Sequence, residues 1–143
     1  MGNMEEESGF KTNNLENSYN SKLGMSDEVY TMAVDNGSYQ NFATDSAGYG
    51  LVQWTYGPFK KDLLNLCKSR GKSISDLSCQ LDQLYAHLQS EGLLNILKNM
   101  TSIEQATEYF MKKFEKPADQ SASAVNRRIN NAQKYKSAFY NKL

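Results

Sequence analysis

The sequence predicts a mainly α-helical protein with one small β element. Three observations carry that expectation. Apolar residues recur at helical spacing through most of residues 59–141. Serines, glycines and two prolines punctuate those stretches where helices start and stop. One short run, residues 49–56, has the β-branched and aromatic character of a strand. A chain of 143 residues with 39% hydrophobic and 22% charged content is expected to form a single domain over 1–143.

The elements follow in order. Residues 1–8 read as a short helix that Gly9 ends, with Phe10 packing behind it. Residues 11–24, KTNNLENSYNSKLG, are polar and rich in Asn and Ser, and read as a long loop. Ser26-Asp27-Glu28 opens a short helix through Val34, because acids in the first turn suit the helix dipole. Asp35-Asn36-Gly37-Ser38 is turn chemistry. The run around Gly48 and Gly50 through Tyr56 is expected to form a small hairpin.

After Pro58, Phe59, Leu63, Leu66 and Cys67 make one apolar stripe that Gly71 stops. Leu77, Leu81, Leu84, Tyr85 and Leu88 make the next, capped by Ser75 or Ser73 and ended by Gly92. GLLNILKNM is a shorter apolar piece. Ser102 with Gln105 forms a capping-box pattern before Ile103, Ala106, Phe110 and Phe114, and Pro117 prevents continuation. Val125, Ile129, Ala132, Lys136 and Phe139 mark a last helix from about Ala122 to about Asn141.

Charge is balanced overall but unevenly placed. Residues 1–58 hold eight acids and two bases; residues 59–143 hold fourteen bases and eight acids, so the halves carry −6 and +6. The basic excess either solvates helix faces or meets a polyanion such as an anionic cell wall. No basic run interleaved with aromatics supports nucleic-acid binding, so no nucleic acid is expected among the partners. No apolar run approaches the roughly 20 residues of a membrane span. No basic leader precedes an apolar stretch, so no signal peptide is expected in this chain.

Cys67 and Cys79 do not make a disulfide scaffold; their separation permits a bridge, and Cys67 also reads as a small core residue. His87 is the sole histidine, and nothing near it resembles a nucleophile motif or a known zinc-ligand spacing. No metal and no cofactor is expected.

Two stretches carry chemistry. In MGNMEEESGF, successive helical residues point about 100° apart, so Glu5, Glu6 and Glu7 cannot share a face. At most one looks into a cleft, and the others are solvated neighbours. A carboxyl at a helix C-terminus beside apolar residues is disfavoured in its charged form, which is what a general acid for glycosidic cleavage requires. A bare EEES is equally an exposed acidic leader. In YGLVQWTYGP, Tyr49, Gln53, Trp54 and Tyr56 gather around Gly50 and Gly57. Aromatic faces and an amide suit sugar rings and N-acetyl groups, and bare glycine backbone lets a ligand approach. The alternative is a core aromatic cluster.

GNMEEESGF, DSAGYGLVQWT, FMKKFEKPAD and NRRINNAQKY, in that order, resemble the phage tail lysozyme domain, over essentially the whole chain. That is the peptidoglycan-cleaving domain of phage tail-tip proteins and some cell-wall hydrolases, within the lysozyme and lytic transglycosylase fold group. The resemblance implies a lysozyme-like fold and cleavage of the β-1,4 bond between N-acetylmuramic acid and N-acetylglucosamine, helping a tail penetrate the wall. It implies that Glu7 is the catalytic acid, that Ser8 supports it, and that Gln53 lines the sugar cleft with Tyr49 and Trp54 in the same motif. Tyr56 joins them as a substrate contact. Asp45 is the first candidate for a second carboxylate, with Asp35 and Glu16 next; Asp45 also reads as a turn residue in TDSAG. Without such a carboxylate, the muramic 6-hydroxyl or the N-acetyl group participates, the first giving an anhydro product. Glu115 reads as a structural partner for Arg127 or Arg128, with a catalytic role as the alternative.

The resemblance further implies peptidoglycan as substrate, a virion tail-tip or extracellular cell-wall location, and other tail proteins or a second cell-wall hydrolase domain as partners. Family members usually have more chain before GNM, so the chain is read as trimmed at its N-terminus or as starting late. The competing class is a non-catalytic glycan-binding or structural tail module with a degenerate lysozyme fold.

Overall fold

A computed structural model describes residues 1–140, and the side chains of residues 1–138. The described residues are mainly helical: α1 (Gly2–Ser8), α2 (Asn17–Leu23), α3 (Asp27–Asp35), α4 (Gly57–Ser69), α5 (Leu77–Ser90), α6 (Leu93–Lys98), α7 (Ile103–Phe110), a π-helical turn (Met111–Glu115) and α8 (Ala122–Tyr140). The expected end of the last helix at Asn141 and the side chain of Phe139 lie outside the described residues. No helix among the described residues is long and apolar enough to cross a membrane. The described residues divide into two compact units, one built from residues 1–9 and from residue 88 onward, the other from residues 10–87.

In the first unit the two ends of the chain come together. A seven-residue helix has little stability in isolation, because nucleation costs more than so few hydrogen bonds return. Here α8 supports α1 directly. A Cβ at Gly2 would lie 2.2 Å from the carbonyl oxygen of Arg128 and 2.7 Å from the amide nitrogen of Ala132, so the helices touch backbone to backbone. Gly9 closes α1 in the left-handed region (φ 58°), its N–H donating to the Glu5 carbonyl. Met111, Ala124 and Val125 form a buried apolar cluster with Ile129 packed against it. Ser102 caps α7 as its spacing predicts, accepting from the Gln105 N–H at 3.2 Å. Rather than ending at Pro117 as one helix, α7 passes into the π turn. The Lys116 N–H reaches back five residues to the Met111 carbonyl, and Lys116 itself is left-handed (φ 47°).

The second unit has a core of Leu15, Tyr30, Val34, Phe42, Ala47, Tyr49, Leu63, Cys67, Ile74 and Cys79. Tyr30, Phe42 and Tyr49 pack ring against ring at 5.5–6.2 Å. Both cysteines are buried and unbridged; burial, then the neighbouring Cys79 thiol, pushes the Cys67 thiol up to about 12. Ser26 caps α3 through the Val29 N–H, as expected. The stretch read as a loop at 11–24 instead contains α2. That helix buries no residue, so it lacks the apolar stripe by which a helix is recognised. Asp76, rather than Ser73 or Ser75, accepts the Cys79 N–H that opens α5. Hydrogen bonds from Ser78 and from the Cys79 amide hold the Asp76 carboxyl down at about 2.

The small β element takes the form of isolated antiparallel bridges, Leu15 with Tyr49 and Tyr49 with Trp54. Tyr49 and Trp54 exchange both backbone hydrogen bonds, closing a tight loop over residues 50–53. Gly50 sits there at φ 82°, and a Cβ on it would lie 2.8 Å from Gln80 Oε1. Gln80 itself is fully buried: its Oε1 accepts from the Leu51 N–H, while its Nε2 donates to the Thr12 and Ile74 carbonyls. One amide side chain thus ties three chain segments of this unit.

Candidate active site

The three glutamates of α1 do not form a solvated leader. Each faces a different base on α8: Glu5 pairs with Lys134 at 3.1 Å, Glu6 with Arg127 at 3.0 Å and Glu7 with Arg128 at 2.8 Å. The first two pairs join exposed bases, a type of contact that contributes about 0–1 kcal/mol. The third is different. The Arg128 side chain is 6% exposed and that of Glu7 19%, so the cation is enclosed while its partner's side chain stays partly exposed. Arg128 also donates to Asn3 Oδ1 at 3.2 Å, and the Asn3 amide donates to the Thr107 carbonyl at 3.2 Å. α1, α7 and α8 are thereby linked through buried polar groups around Glu7. Part of the basic excess of the second half of the chain is therefore neither solvating nor polyanion-binding; it receives the acidic helix.

Ser8 is buried, and its hydroxyl donates to the Met4 carbonyl, one turn back. It secures the last turn of α1, where Glu7 lies. Glu115 closes the π turn. It makes no ion pair with Arg127 or Arg128 among the described residues, contrary to the expectation of a direct partner. Its Oε1 is buried with no hydrogen-bond partner among the described residues, as is Nε of Arg128. Burial above all, then the charge of Glu7, pushes the Glu115 carboxyl well above the usual carboxylate range; Arg128 and the Met1 amino group oppose this.

The remaining expected site residues lie in the second unit. Asp45 is a buried structural node, which is the obstacle to its role as a second catalytic carboxylate. Lys60 donates to its Oδ1 at 2.6 Å, and the side chains are 0% (Lys60) and 5% (Asp45) exposed. Tyr30 and Tyr39 donate to its Oδ2 at 2.5 and 3.0 Å, and the Ala47 N–H donates to Oδ1. Every lone-pair direction of the carboxylate is engaged. Burial and the Asp45 hydrogen bond raise the Tyr39 phenol to about 12, and burial lowers the Lys60 ammonium from its ordinary value. Asp35 is engaged too, accepting from the Ile74 N–H and the Ser73 hydroxyl. Glu16, partly exposed, accepts from the Gly48 N–H at 3.0 Å.

The aromatics divide. Tyr49 is fully buried in the core, its hydroxyl 2.7 Å from that of Thr31, and offers no face to a sugar. Trp54 is also buried; its indole N–H points to Nδ1 of His87 at 3.4 Å, and the His87 ring lies 3.5 Å from that of Phe59. These two expected substrate contacts are core residues. Gln53 (φ 51°) donates its amide to the Asn14 and Gly50 carbonyls at 3.0 Å each, holding the loop. Tyr56, 63% exposed, is the member of the set with an open ring.

The family model for phage tail lysozyme matches residues 1–139 of the 143. The chain belongs to the phage tail lysozyme family. Membership carries a peptidoglycan-lytic role in a phage tail and the character of a cell-wall lytic enzyme. No curated protein and no solved structure matches significantly. Two stretches account for the polar scaffold: the N-terminal GNMEEESGF supplies Asn3 and Glu7, and NRRINN supplies Arg128. Sequence reasoning placed Glu7 but not its cation, because the pair spans 121 positions and NRR offers two arginines. Gln80 and Lys60 were missed as well; each reads locally as an exposed polar residue, Gln80 between Cys79 and Leu81 and Lys60 beside Lys61 and Asp62.

Proposed function

We propose that the chain cleaves the β-1,4 bond between N-acetylmuramic acid and N-acetylglucosamine, with Glu7 as general acid, and so helps a phage tail cross the bacterial wall. The observation that supports this is the setting of Glu7. It is fixed by a buried arginine at the end of a helix clamped to α8, yet its side chain stays partly exposed. Fixed geometry at the reacting atom is what general acid catalysis needs. Glu7 protonates the leaving oxygen as an oxocarbenium-like transition state develops. Ser8 holds the turn beneath it; within the second unit, Tyr56 carries an exposed ring of the kind that stacks on sugars.

The engagement of Asp45 and Asp35 favours a route in which the substrate supplies the nucleophile. The muramic 6-hydroxyl attacks C1, and the carboxylate left on Glu7 takes its proton, giving an anhydro end as in a lytic transglycosylase. The hydrolytic route requires a second carboxylate to activate water. Mass spectrometry of digested muropeptides tests both readings: an anhydro and a hydrated end differ by one water. Uncut glycan with folded protein that still pellets with cell walls would instead favour a non-catalytic glycan-binding module.

A further inference from the structure

Around Glu7 lie one further carboxyl group, that of Glu115, and one guanidinium, that of Arg128. Arg128 is hydrogen-bonded to Glu7 and Asn3, and its Nε is buried without a partner among the described residues. Glu115 Oε1 is buried and equally without a partner. The other nearby arginine, Arg127, is turned to Glu6 and Asp119. The charged groups that face Glu115 are Glu7 on α1, Arg128 on α8 and the amino group of Met1. Glu115 is delivered there by a π turn, a helix irregularity often found at functional sites. A carboxylate in this position would be buried beside another carboxylate whose arginine is already hydrogen-bonded. Two carboxyls in such a setting cannot both ionise freely.

We propose that Glu115 is a proton-holding, positioning residue for the Glu7 acid: Arg128 is bonded to Glu7 alone, and the two carboxyls keep one proton between them. The proposal rests on the reading of Glu7 as the acid. Burial and the charge of Glu7 both favour the neutral form of Glu115. In the resting pair the proton resides on Glu115 and Arg128 faces the Glu7 carboxylate. When a glycan engages, the proton passes to Glu7 and then to the glycosidic oxygen. The O–H bond of Glu7 breaks as the new O–H forms, and the electrons of the C1–O bond go to the leaving oxygen. The pair then lacks its proton until the attacking water or hydroxyl returns one.

Carbon-13 NMR of glutamate carboxyls, with cleavage assays on purified peptidoglycan, tests this in wild type, Glu115→Gln and Glu7→Gln. The expected result is one protonated glutamate at pH 7 in wild type, absent from Glu115→Gln. In Glu7→Gln its titration moves about one pH unit or more towards acid, because the opposing charge is gone. The basic limb of the pH–rate profile of Glu115→Gln moves acidward by a similar amount. The proposal is overturned if every glutamate is ionised at pH 7 in wild type, if Glu7→Gln leaves the Glu115 titration in place, or if the Glu115→Gln profile superimposes on wild type. Should Glu115→Gln not fold, the wild-type and Glu7→Gln titrations decide alone. If Glu7→Gln cleaves like wild type, the reading of Glu7 fails, and the titrations still report whether the pair shares a proton.

Discussion

Replacing Lys60 with Met removes one charge from the most enclosed ion pair among the described residues while keeping much of the side-chain volume. Asp45 then keeps the Tyr30 and Tyr39 hydroxyls and the Ala47 N–H, but loses the ammonium 2.6 Å from Oδ1. With side-chain exposures of 0% and 5%, little water can replace it. Breaking a buried pair by removing one partner costs about 3–5 kcal/mol. For a chain of this length that lowers Tm by about 10–15 °C. Lys60→Met combined with Asp45→Asn leaves no uncompensated charge, and the Asn oxygen still accepts from the tyrosines. The double variant should therefore recover at least about 2 kcal/mol relative to the sum of the single changes. Urea unfolding followed by circular dichroism measures all three. Additive costs would refute the reasoning, because they would mean that the two charges do not depend on one another. The same double variant should clear peptidoglycan within about tenfold of wild type. Loss of cleavage in a folded double variant would return Asp45 to the reaction.

Other outcomes follow from the same contacts. Gly2→Ala places a Cβ against the Arg128 carbonyl; it should cost about 1–3 kcal/mol in urea unfolding and reduce cleavage about tenfold or more by moving Glu7. Glu115 binds its proton more tightly folded than unfolded, so the native state holds more protons above about pH 4.5. Stability should consequently fall as pH rises from there, with a slope of up to about 1.4 kcal/mol per pH unit, until the folded-state group ionises; Glu115→Gln should flatten that part of the curve. Tyr49→Phe removes the hydroxyl contact to Thr31 and should cost about 1 kcal/mol in stability without changing glycan binding in a pull-down, whereas Tyr56→Ala should weaken binding and leave Tm unchanged.

The helices that carry an apolar stripe were legible: α3, α4, α7 and α8 run close to where periodicity and capping residues place them. α2 was not, since NSYNSKL buries nothing and its composition is that of a loop. The aromatic segment misled for a physical reason. Gly50 beside Tyr49 and Trp54 looks like backbone bared for a ligand, but its bare face receives the side chain of Gln80, a contact 30 positions away that no local pattern announces. At the candidate site, motif and helical geometry singled out Glu7 as the proposed acid. Arg128 and Glu115 were readable only as residues. That one is bonded to Glu7, while the other stays unpaired behind it, depends on how α1, the π turn and α8 pack.

The central claim is that Glu7 donates the proton that breaks the glycan strand. Muropeptide mass spectrometry on purified peptidoglycan, comparing wild type with a folded Glu7→Gln variant, tests it most directly. Wild type should produce new glycan ends, and Glu7→Gln should produce them at a rate at least about 100-fold lower, the contribution expected of a general acid. Equal cleavage by the two proteins, or folded wild type that produces no new glycan ends, would contradict it.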